Sequence, residues 1–232
     1  METENEGASQ LELLRLMTFL SPAFPVGAFS YSHGVERAVH DGLIVDRAGL
    51  IEWLEDVLAR GSGWNDAVLS AEAWRRAGKM TALKALAELA EALAGSGERH
   101  LETMAQGEAF IDAVDAWSGN AWPGGDGALP MERSMAYPVA IGATAARRGI
   151  ALEPMLAGLL HAFAANLVQA AVRLVPLGQR DGVAALAQLE ACVVHTAERA
   201  ANATLDDLGS CSFKSEILSM RHETQYSRLF RS

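Results

Sequence analysis

Apolar residues recur at steps of three and four along almost the whole chain, while the strict alternation of a half-buried strand is nearly absent. A chain patterned this way buries one stripe per helix, so it folds as packed helices rather than as a sheet. Leu11, Leu14, Leu16, Met17 and Leu20 predict a first helix, ended by Pro22 and Pro25. A second is expected from Ser30 or Ser32 to Asp41-Gly42. Asp46 is a suitable N-cap for a third, with Leu50, Trp53, Leu54, Val57 and Leu58 inward. Asn65 or Asp66 opens a fourth, Thr81 a fifth, and Ser96 a sixth that runs to Trp117. Residues 118–134 are rich in Gly and Pro and read as a long loop. Helical periodicity resumes at Pro138, Pro154 and Asp181. The expectation is an all-α, single-domain bundle of about nine helices over 11–208. A flexible N-terminal segment at 1–10 and a partner-binding tail at 209–232 flank it.

The composition narrows the function classes. Among 232 residues, 50 % are apolar and 21 % charged, which marks a globular chain with a real core. A net charge of −10 argues against nucleic acid as a partner, because such binders display a basic face. Cys192 and Cys211 form no disulfide framework and read as reduced thiols of a cytoplasmic protein. The acidic start Met1-Glu2-Thr3-Glu4-Asn5-Glu6 does not suit a secretory or transit peptide. Pro154–Val172 carries no Asp, Glu, Lys or Arg and is long enough to cross a bilayer. It holds His161, Asn166, Gln169 and many alanines, so the expectation is a fully buried central helix and no membrane.

No catalytic constellation is legible. Neither glycine-rich stretch continues into the Lys-Ser or Lys-Thr of a phosphate-gripping loop, and no serine sits in Gly-x-Ser-x-Gly. The histidines form no HxxxH pair to share a metal on one helix face. His33 and Glu36 stand at i, i+3 and read as a capping or surface pair. His161 reads as a hydrogen-bonded core histidine. The rival reading is a helical-bundle enzyme for a small molecule, using His161 or Cys192.

Two end segments are more distinctive. Ser21–Glu36 packs two prolines, a glycine and several aromatics between helices, so an extended entry is expected, with Gly27 in a conformation other residues resist. Two readings fit: Phe24 and Phe29 dock on the bundle while Tyr31 and His33 face a partner, or the segment is an ordinary helix–helix connector whose aromatics fill core, which the physics of the residues favours. The end of the chain alternates Arg221, Arg228 and Arg231 with Tyr226, Leu229 and Phe230, types enriched at binding hot spots. A docked helix burying Leu218, Tyr226, Leu229 and Phe230 and a partner-binding arm both fit this pattern.

Three stretches, in order along the chain, resemble the urease accessory protein UreF family. They are Ser21-Pro22-x-x-Pro25-Val26-Gly27-x-Phe29-Ser30-Tyr31-Ser32-x-Gly34-x-Glu36, Arg173-Leu174-Val175-Pro176-Leu177-Gly178-Gln179 followed by Asp181-Gly182, and Gln225–Ser232. The resemblance implies an all-helical, homodimeric, non-enzymatic chaperone of urease maturation. It would bridge UreD (also called UreH) and the GTPase UreG during nickel insertion into apo-urease, and modulate the GTPase. The candidate partner-binding residues are then Tyr31, His33, Glu36, Arg173, Gln179, Arg221, His222, Gln225, Tyr226, Arg228, Leu229, Phe230 and Arg231. The tail is expected to engage UreD, and Arg173 with Gln179 to lie toward UreG. No catalytic residue, cofactor or metal ligand is expected.

Overall fold

A computed structural model describes residues 2–118 and 134–231. Among these the chain forms ten α-helices and no strand: α1 Glu2–Phe19, α2 Val35–His40, α3 Arg47–Arg60, α4 Ser62–Arg76, α5 Met80–Ala92, α6 Gly97–Ser118, α7 Tyr137–Arg147, α8 Leu152–Leu174, α9 Gln179–Asn202 and α10 Phe213–His222. The all-α expectation holds, and α10 lies within the stretch expected to be tail. The long loop expected at 118–134 lies almost wholly outside the described residues.

Local chemistry explains most boundaries. Asp46 caps α3 as expected, accepting from the Gly49 N–H at 2.8 Å. Pro138 sits in the first turn of α7, where its missing N–H costs nothing. Asp181 reaches back to the Gly178 N–H at 3.4 Å, so α9 opens two residues before the expected Asp181. α1 begins at Glu2, well before Leu11, so the segment expected to be flexible is helical. Of its apolar residues, Leu16 and Phe19 are buried, whereas Leu11, Leu14 and Met17 are exposed.

The core is built around α4, which packs on α3, α5, α7, α8 and α9. α8 and α9 are joined by the short Val175–Gly178 link and lie side by side. α8 is not buried all round. Met155, Leu156, Leu159, Leu160, Leu167 and Val168 face the core, but His161, Gln169 and Arg173 are exposed. His161 is therefore not the core histidine expected. Leu152–Leu174 is long and apolar enough to cross a membrane by length and composition, and half of its most apolar window is covered by the bundle.

α4 and α7 approach one another closely in this core. A Cβ on Gly142 would lie 2.2 Å from the Ser70 carbonyl oxygen, and the Ser70 hydroxyl donates to the Pro138 carbonyl at 2.9 Å. Gly142→Ala forces these helices apart and is expected to lower stability by about 2–3 kcal/mol in urea unfolding. Gly78→Ala, where an added Cβ meets nothing within 4 Å, is expected to change it by less than about 0.5 kcal/mol.

Candidate functional site

The first end segment leaves α1 through Pro22 and Pro25 and makes a 3-10 turn at Ala28–Ser30. Gly27 adopts φ 74°, the left-handed geometry expected of it. His33 and Gly34 follow at φ 50° and 79° and open α2. A Cβ on Gly34 would stand 3.0 Å from the Ser215 carbonyl and 3.1 Å from the Ser219 N–H, so glycine here lets α10 lie against the start of α2. That approach brings Glu36, in the first turn of α2, to the end of the chain.

The Glu36 carboxylate is the centre of a buried cluster. One oxygen accepts the Leu229 N–H at 2.7 Å; the other accepts the Phe230 N–H at 2.9 Å and lies 3.0 Å from His222 Nε2. His222 is fully buried, and its Nδ1 lies 3.0 Å from Glu98 on α6. The other Glu98 oxygen takes Arg228 at 2.5 Å, and Glu223 accepts the Gly97 N–H at 2.9 Å. Arg231 N–H donates to the Ser30 carbonyl at 2.8 Å, joining the tail to the first segment through its backbone. Phe230 is buried with the Arg173 guanidinium 5.8 Å from its ring centre. Arg221 pairs with Asp41 at 3.2 Å. The hydrogen bonds from Arg37 and His40 hold the Asp41 carboxyl below its ordinary range, with a smaller contribution from Arg221.

A second cluster lies one helical turn along α6. His33 Nε2 is 2.9 Å from Glu102, and its Nδ1 is 3.3 Å from the Ser62 hydroxyl. Arg99 bridges Glu102 at 2.6 Å and Asp66 at 3.3 Å, and Gln106 donates to Glu102 at 2.9 Å. Burial alone would push the Glu102 carboxyl up, but the charges of His33 and Arg99 and their hydrogen bonds bring it down to about 2. Asp66 moves the opposite way, because its burial outweighs Arg99 and His33. These groups form the floor of a groove of about 650 Å³ whose apolar walls include Phe19, Phe24, Leu159 and Phe163.

The structure thus brings together Glu36, His222, Arg228, Leu229, Phe230, Arg231 and Arg173 from the expected set. It corrects the placement of others. Tyr31 and His33 are buried rather than outward, and His33 and Glu36 pair with separate helices rather than cap each other. His222 is interior, not part of an exposed tail face. Phe24 docks against Phe19 and Phe110, whereas Phe29 is 64 % exposed. Of the apolar residues expected to bury with a final helix, Leu218 and Phe230 do so, while Tyr226 and Leu229 stand outward. Gln225 donates to the Ser227 carbonyl at 2.9 Å, and Gln179 lies exposed at the start of α9. Glu98, Arg99 and Glu102 escaped the sequence reading, since charges on a helix ordinarily mark a solvated face.

The enzyme reading finds little chemistry. The Cys192 thiol faces α3, 3.9 Å from the Glu55 carbonyl, and burial pushes it up, away from a reactive thiolate. His161 stands on the exposed side of α8. Among the described residues no three His, Cys, Asp or Glu side chains converge to hold a metal ion.

Fold and site define a helical protein whose buried charges hold its own two end segments together. The UreF family model matches residues 44–190. The urease accessory protein UreF of Mesorhizobium japonicum is 55 % identical over 97 % of this chain and 98 % of its own length. UreF 1 of Brucella canis is 56 % identical over 95 % of this chain and 94 % of its own, and UreF of Brucella ovis matches to the same extent. The chain belongs to the UreF family of urease accessory proteins.

Two outcomes test the clusters. His222→Ala leaves Glu36 and Glu98 facing one another and is expected to cost about 3 kcal/mol in urea unfolding. For Glu102, the folded value of about 2 lies below the ordinary 4.5, so its contribution is complete above pH 4.5 and disappears as pH falls through about 2. Glu102→Gln is therefore expected to destabilise the chain at pH 7, with the difference from wild type shrinking from pH 4.5 toward pH 2.

Proposed function

We propose that this chain acts without catalytic chemistry of its own, as a cytoplasmic chaperone of urease maturation. It bridges UreD/UreH and the GTPase UreG while nickel, the cargo, is inserted into apo-urease, and it biases the nucleotide state of UreG by binding one state more tightly. The carrying observation is the docked tail. Its buried half is held by Glu36 and Glu98, while Tyr226 and Leu229 are left exposed beside Arg221, Arg228 and Arg231. Exposed aromatic and aliphatic side chains alternating with arginines along the chain have the composition of a binding hot spot, and this is the face given to UreD. Arg173 and Gln179 flank the Val175–Gly178 link on an exposed edge, the face given to UreG. The half-exposed side of α8 carries Ala162 and Ala165, narrow residues that let helices approach closely; it is given to the second copy of a homodimer.

Deleting the tail would strip Glu36 and Glu98 of their partners, so point changes on its outward side are the better test. Tyr226→Ala with Leu229→Ala is expected to leave urea stability within about 0.5 kcal/mol of wild type. Retention of co-expressed UreD on the tagged chain is expected to be lost. Undiminished retention by this variant would remove the tail from the interface.

A further inference from the structure

We infer that Glu36 is a positioning residue for partner binding, one that never meets the partner and acts by fixing the backbone of Leu229 and Phe230. This rests on the reading that the tail faces UreD. The carboxylate is buried, with 7 % side-chain exposure, and its side-chain bonds go to residues 222–230: the His222 ring and two consecutive backbone N–H groups. A buried carboxylate is tolerated only when its lone pairs are filled. Here the donors that fill them come from the tail, not from the bundle.

The bundle therefore presents a socket with two acids, Glu36 and Glu98, and the tail brings the complement in His222, Arg228 and the two N–H groups. Two N–H groups one residue apart, bonded to the two oxygens of a planar carboxylate, fix the local path of the chain. Phe230 is then directed inward under Arg173, and Leu229 outward at 63 % exposure. Tyr226, fully exposed, lies within the span held between His222 and Leu229. The outward side so shaped carries Leu229, with the exposed Arg228 and Arg231 flanking the Leu229–Phe230 pair in the chain, in a protein of net charge −10. It fits an apolar pocket edged by carboxylates on the partner. On this account the first end segment governs partner binding from inside the fold.

Glu36→Gln keeps the size of the side chain but replaces one acceptor oxygen with an NH2 group, so one of the two backbone N–H groups loses its acceptor and the charge on the other acceptor is removed. In the full-length chain, amide exchange at Leu229 and Phe230 is expected to speed up while α4 and α7 amides stay protected. Titration with UreD is expected to show binding weakened at least about tenfold, the worth of a lost charged hydrogen bond. Glu36→Asp, which keeps the charge, is expected to restore part of both. Arg228→Ala changes an exposed side chain and gives a second reading of tail exchange if Glu36→Gln folds poorly. Unaltered exchange at Leu229 and Phe230 in these variants overturns the positioning role. Faster exchange with unaltered UreD binding leaves the tail seated by Glu36 but overturns its influence on the partner. Wild-type binding that survives the Tyr226 and Leu229 changes is the separate failure of the tail as the UreD-facing element.

Discussion

A carboxylate removed from water needs donors for both oxygens, and in this protein Glu36 finds them at the far end of the chain. That requirement shapes both end segments. Glu36 reaches Leu229 and Phe230 only because Gly34, without a side chain, lets α10 approach the start of α2. It meets His222 only because α10 ends there, against Glu98. Removing any one of these would leave a buried charge unpaired, a cost of several kcal/mol against a typical total stability of 5–15 kcal/mol.

The two charge clusters are rungs of one ladder. His33 and Glu36 are three residues apart at the start of α2, while Glu102 and Glu98 are four apart on α6. His33 meets Glu102 directly, and Glu36 meets Glu98 through the His222 ring. The first rung is internal to the bundle and closes the floor of the groove. The second is completed by the tail. Arg99 sharpens the first, since it stands between two carboxylates of which Glu102 is held ionised and Asp66 is pushed toward protonation by burial. α6 is thus the strut through which groove and tail are mechanically joined.

Much of the fold was legible from period and punctuation. Asp46 and Pro138 mark where helices start, because capping and φ restrictions act over a few residues. The sequence pattern makes α8 look wholly buried because alanine and glycine satisfy a hydropathy count on either face; only its packing on α9, α4 and α2 shows which side is covered. The end motifs single out residues that the structure brings together, but they do not disclose their burial. His33, Glu36 and His222 look like surface residues in a sequence, since an isolated charged or titratable side chain usually is one. Their partners Glu102 and Glu98 lie 69 residues from His33 and 124 from His222, in a stretch without any motif, and tertiary pairing at that range leaves no local signal.

The same arrangement explains how a short tail can be ordered without a rigid helix of its own. Residues beyond α10 have no regular hydrogen-bond ladder, so their order depends on bonds to the bundle. Those bonds use the inward groups: the N–H groups of 229–231, the His222 ring and the Phe230 side chain. The outward groups, Tyr226 and Leu229, are left unspent. A surface ordered before contact avoids part of the entropy loss that an unstructured arm suffers on binding. The division between inward charge and outward apolar contact is what makes the tail a property of the whole fold, since the residue that orders it lies nearly two hundred positions earlier, in the first end segment.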